Sequence, residues 1–183
     1  MAQTPRQPGR PRSSIDAAVF AATLKTVHEH GYARATVDRI AAEAGVAKTT
    51  VYRRWASKGE LIVACVVDAF GPLPLIEGPR DEVLASMTRW VAEKLADPGL
   101  GAAFAGVFTD AVNDAELREI LMTKLQAPYL EILMKWLGES ERKVRFVIDV
   151  IIGTMLHRMG ITGEPMDDED VDTLIAMVVG VLR

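Results

Sequence analysis

Residues 36–58, TVDRIAAEAGVAKTTVYRRWASK, decide how the rest of the chain is read. Val37, Ile40 and Ala41 recur at i, i+3 and i+4, one face of a helix that starts after Thr36. The Thr36 hydroxyl is placed to accept a hydrogen bond from a first-turn amide and cap that helix. Ala42 and Ala44 are small enough for a close helix crossing, and Gly45 supplies the left-handed residue that stops the helix. Val46 then plugs the angle, and a second short helix follows over 48–54. It turns Val51 inward and Lys48, Thr49, Tyr52 and Arg53 outward. Two helices joined by a tight glycine turn, the second with a basic outer face, describe a helix-turn-helix.

That outer face suits a nucleic-acid duplex. Lys48, Arg53 and Arg54 offer charge to phosphates, while Thr49 and Thr50 can bond a phosphate or a base edge. Tyr52 adds a flat ring with a hydroxyl. Lys58 opens the next helix, where its charge and the free amides would grip one more phosphate. An ordinary helical corner with a solvated basic face has the same spacing, so the case needs more than periodicity.

More comes from Gly31-Tyr32, Thr36, Ile40-Ala41, Ala44-Gly45-Val46, Tyr52, Trp55, Ser57-Lys58 and Leu61, in that order. This run of about 50 residues resembles the DNA-binding domain of the TetR/AcrR family of bacterial transcription regulators. The departures are local: Ala47 where a serine often caps the recognition helix, Arg54 for a histidine, Trp55 for a phenylalanine and Gly59 for an acidic residue. The resemblance, together with the residue chemistry, gives a candidate DNA-contacting set of Arg10, Arg12, Thr36, Lys48, Thr49, Thr50, Tyr52, Arg53, Trp55 and Lys58.

Charge divides the same way. The net charge of −4 hides a basic head, since residues 1–60 carry 10 Lys+Arg against 5 Asp+Glu. Residues 61–183 carry 11 against 20, so a +5 head adjoins a −9 trunk, an arrangement that turns one end toward DNA. Residues 1–12 are Pro-, Gly- and Arg-containing without periodicity and read as a flexible basic arm, suited to a minor groove. No apolar stretch reaches membrane-spanning length and the N-terminus has no apolar signal core. The lone Cys65 excludes an internal disulfide, so the expected compartment is the cytoplasm.

The expected fold is all-α with about nine helices. A three-helix head covers 13–58, and a helical ligand-binding and dimerisation trunk covers 59–183, with the boundary inside an apolar helix from Lys58 to Phe70. Trunk helices are read over 79–97, 100–109, 114–137 with a bend at Pro128, 140–159 and 167–182. Met87, Trp90, Phe104, Phe108, Met122, Tyr129 and Met134 are the candidate cavity lining. Thr88, Asn113, His157 and Arg158 are the polar groups available to orient a ligand. The last two helices are apolar on more than one face, and Ile148, Ile151, Ile152, Met155, Leu174 and Val178 are the candidate dimer interface. The resemblance implies that these helices pair with their twins in a four-helix interface. It also implies that a small, mostly hydrophobic effector releases a repressor from a palindromic operator.

No catalytic constellation, cofactor or metal is expected. Gly-rich phosphate loops, Gly-x-Ser-x-Gly and His-Glu-x-x-His are absent from the sequence. His28 and His30 at i, i+2 point apart on a helix. The acidic run from Asp167 to Asp172 lacks the glycine and closing glutamate of a calcium loop and reads as a helix N-terminus. The rival reading is an architectural DNA-binding protein without an effector.

Overall fold

The structure, a computed structural model, describes residues 12–74 and 78–182. Nine α-helices and no strand occur among them. The head consists of α1 (Arg12–His30), a 3-10 turn (Tyr32–Arg34), α2 (Val37–Glu43) and α3 (Lys48–Tyr52), leading into α4 (Lys58–Phe70). Val19, Ala22, Val37, Ile40, Ala41, Val51, Trp55 and Leu61 form its core. Thr36 caps α2 through Arg39 N–H at 3.3 Å, and Gly45 turns the chain at φ 65°. Ala47 leaves α3 without a side-chain cap. Arg12 belongs to α1; the rest of the expected arm, Arg10 included, lies outside the described residues.

The trunk consists of α5 (Arg80–Ala96), α6 (Pro98–Ala111), α7, α8 (Glu141–Thr162) and α9 (Asp168–Val181). Asp97 ends α5 and caps α6 through Leu100 N–H at 2.7 Å, with Pro98 at the first turn, which lengthens α6 beyond the expected 100–109. The rod α7 joins α-helix Ala115–Ile120, a π-helical stretch Leu121–Gln126 and α-helix Ala127–Leu137. Ala127 N–H donates to Met122 O, five residues back, just before Pro128. Proline has no amide proton and its ring crowds the preceding turn, so the chain accommodates it by widening rather than by a simple kink. Helix α8 runs past the expected end at 159 and is closed by Thr162, whose Oγ1 donates to Arg158 O at 2.9 Å and accepts from Glu164 N–H at 3.2 Å. Asp167 caps α9 through Asp170 N–H at 2.9 Å.

Helix α4 is shared. Leu61 packs into the head core, whereas Ile62, Val63 and Val66 pack into the trunk core. Cys65, between them, is buried and donates to Phe20 O at 3.6 Å; burial pushes its thiol up to about 12, so it is a packing residue. No helix among the described residues is long and apolar enough to cross a membrane.

Candidate nucleic-acid interface and trunk cavity

Helix α3 presents Lys48, Thr49, Tyr52 and Arg53 to solvent, with Thr50 half-buried; Tyr52 is 46% exposed. Lys48 is not idle. Its Nζ lies 2.7 Å from Asp38 Oδ1 on α2 and 5.7 Å from the Tyr52 ring centroid, and the hydrogen bond to Asp38 raises its pKa. Sequence reading missed Asp38, whose pairing depends on how α2 crosses α3.

Three residues assigned to phosphates or DNA sit elsewhere. Trp55 is 7% exposed and packs on Phe20, ring centroids 5.5 Å apart, so it sets the angle of α3 from within the core. Arg53 keeps helical backbone angles and Trp55 N–H still donates to Val51 O at 3.0 Å, so residues 54 and 55, three and four past the buried Val51, fall on the inward side. Arg54 turns inward, its Nε 3.2 Å from Asp16 Oδ1, an ion pair whose facing atoms are buried and angled off a straight hydrogen bond. Lys58 opens α4 as expected, but its Nζ donates to Tyr32 O at 2.6 Å and lies 3.8 Å from the Tyr32 ring centroid. Burial lowers its pKa.

Tyr32 is itself a joint between head and trunk. Its hydroxyl donates to Asp110 Oδ2 of α6 at 2.7 Å, and burial raises its pKa. The ring lies against Gly106, where a Cβ would meet ring atoms at 2.1 Å, so only glycine allows this approach.

Behind α4 the trunk encloses a cavity of about 530 Å³. Met87, Trp90, Phe104, Phe108, Met122 and Tyr129 line it as expected, joined by Phe70. Met134 does not. Gln126, Tyr129, Leu133 and Leu137 share the cavity face of α7, and Met134, one residue past Leu133, is rotated off it and packs against the trunk core. Tyr129 donates its hydroxyl to Gly71 O, at the C-terminal end of α4, at 2.6 Å. The expected polar groups are not in the lining: Thr88 is fully buried and bonds Leu84 O at 2.8 Å, and Arg158 pairs with Asp170. Arg118, Gln126 and Asp149 take their place, polar residues on helix faces that sequence alone could not orient.

The expected dimer residues also turn inward. Met155, Leu174 and Val178 are buried within the protomer, and Ile148, Ile151 and Ile152 line the cavity. The apolar surface of α8 and α9 is instead Phe146 (54% exposed), Ile161 (74%), Met177 (62%) and Val181 (43%), with Gly153, Gly160 and Gly180 facing open space. Among the described residues no three His, Cys, Asp or Glu side chains group to hold a metal ion.

Comparison with known proteins agrees with this geometry. The family described as bacterial regulatory proteins, tetR family, matches residues 19–65, and the tetracyclin repressor-like C-terminal domain matches residues 78–178. An uncharacterized HTH-type transcriptional regulator of Mycobacterium tuberculosis is 46% identical over 87 residues, a match covering 46% of this chain and 43% of that protein's length. A DNA-binding transcriptional repressor TetR of Mycobacteroides abscessus is 30% identical over 176 residues, covering 91% of this chain and 92% of its own. The crystal structure of multidrug binding protein EbrR complexed with ethidium superposes with a TM-score of 0.66 at 18% identity, covering 90% of this chain and 98% of EbrR, a likeness of fold.

Proposed function

The chain belongs to the TetR family of bacterial regulatory proteins, and from that premise we propose that this DNA-binding transcriptional regulator is a homodimeric repressor, released from a palindromic operator by a small hydrophobic effector. The observation that carries the proposal is the placement of α4. One of its faces holds the head that presents α3, and its C-terminal end is tied to the wall of an apolar cavity through Tyr129. A molecule filling that cavity would act on DNA affinity only by fitting one head position better than another. The relative from Mycobacteroides abscessus is named a repressor, and EbrR was crystallised with ethidium, which supports both halves of the reading.

Thr49, Thr50, Tyr52 and Arg53 would read or grip the duplex, with Thr36 and Lys48 at its edge and Arg10 and Arg12 as further candidate contacts. Lys58 would join them only by leaving Tyr32. Dimerisation would use the outward faces of α8 and α9, and two copies of α3 would then meet successive major grooves about 34 Å apart. Selection of bound sequences from random duplexes by the full chain tests this. Enrichment of an inverted repeat is expected; binding without sequence enrichment would leave an architectural DNA-binding protein instead.

A further inference from the structure

Two lining residues of the trunk cavity carry charge, Arg118 on α7 and Asp149 on α8. Both are exposed, as are their fellow lining residues Val112, Met122 and Gly153, which marks this side as the mouth. Their commitments differ. Arg118 Nη1 donates to Ala111 O at 2.7 Å and Val112 O at 3.0 Å, closing the C-terminal end of α6, where carbonyls lack helical partners and a cation meets the negative pole. Asp149 has no hydrogen bond or ion pair with any described residue. Arg145, one turn earlier on α8, is held by Glu141 at 2.6 Å and rests on Met122 Sδ at 3.8 Å. The mouth therefore carries one engaged cation and one unengaged carboxylate.

Behind the mouth lies a chain of rings. Centroids are 4.6 Å apart for Phe108 and Phe104, 5.6 Å for Phe104 and Phe70, 5.4 Å for Phe70 and Trp90, and 5.9 Å for Trp90 and Tyr129. Aromatic faces carry partial negative charge and attract cations, most of all where water is excluded. A carboxylate at the mouth adds to that field. An anionic ligand would face both the rings and Asp149, with Arg118 Nη1 already committed to two carbonyls; a neutral one would gain from Asp149 at most a hydrogen bond.

We propose that the effector is a lipophilic cation, its apolar body against the ring wall and its positive charge toward Asp149. The proposal rests on the reading of the cavity as the effector site. Isothermal titration of the full chain with tetraphenylphosphonium and tetraphenylborate, ions of nearly equal shape and opposite charge, tests it. The phosphonium is expected to bind about ten-fold tighter or better, and Asp149→Asn to remove most of that preference. Glu131→Gln, an exposed acid of α7 away from the cavity, should leave the preference in place and so discount the general charge of the trunk. Equal binding of the two ions overturns the charge assignment while sparing the cavity as a site. So does an unchanged preference in Asp149→Asn, or an equal loss in Glu131→Gln. Failure of both ions to bind removes the cavity reading and this proposal together.

Discussion

Lys48 reaches the DNA-facing surface already partnered, and a phosphate must replace Asp38 to use its charge. The pair is half exposed and screened by water, so the exchange is cheap. Asp38 nevertheless subtracts from the field that meets the duplex. Asp38→Asn should tighten binding to a random-sequence duplex and steepen its salt dependence, since Lys48 then releases a counterion without a rival; anisotropy titrations over a range of salt would show it. Tyr52→Ala should weaken operator binding by about 1 kcal/mol or more with the fold intact, and unchanged affinity would displace α3 from the groove. The outward phase of α3 was legible because a five-residue helix with one buried valine has few alternatives. Its partners were not. Asp38 pairs across ten residues and Asp16 with Arg54 across more, and no local pattern encodes contacts made when separate helices cross.

Helix α4 starts on a reciprocal cap. Ser57 accepts from Glu60 N–H at 3.1 Å, while Glu60 Oε2 accepts from Ala56 N–H at 2.7 Å and Oε1 lies 3.2 Å from Lys124 in the π-helical stretch of α7. The Ala56 amide, then Lys124, hold the Glu60 carboxyl below its ordinary value. A carboxyl that ionises more readily folded than unfolded contributes fully above its unfolded pKa and loses that contribution as pH falls through the folded one. Glu60→Gln should therefore cost about 1 kcal/mol near neutrality, read from urea midpoints, and the gap from wild type should close on acidification below pH about 4.5. A gap that persists in acid would mean that shape rather than charge holds this corner. The joint at Tyr32 makes a different demand. Gly106→Ala places a methyl group inside the ring, and the resulting shift of Tyr32 should cost about 1–3 kcal/mol in thermal unfolding while leaving the helix content unchanged. Sequence showed that α7 is long and that Pro128 disturbs it. Hydrophobic spacing does not distinguish a bend from a π-helical turn, because both keep Leu121 and Leu125 buried.

A basic head on an acidic trunk turns the molecule toward DNA, but presenting two heads in register needs a second copy. Helices α8 and α9 are apolar on more than one face, and their sequence supports three destinations at once: protomer core, cavity wall and partner. Met155 and Leu174 went to the first, Ile148, Ile151 and Ile152 to the second, and Phe146 and Met177 remain outside. Periodicity could not sort them, since each class lies within about 100° of the next on the helix. The sorting makes the dimer separable from the fold. Phe146→Glu places a charge on the outer face alone, where a partner would bury it and water otherwise solvates it. Light scattering should then give the mass of one 20.0 kDa chain in place of two, with unchanged circular dichroism and operator binding that becomes weak and strongly concentration-dependent. Met155→Glu is the counterpart, because its side chain is buried in the protomer away from the cavity and the charge has nowhere to go. It should unfold the trunk rather than divide a dimer. If Phe146→Glu stays dimeric, or if Met155→Glu folds and merely dissociates, the outward face is wrongly assigned and the two recognition helices must be brought together some other way.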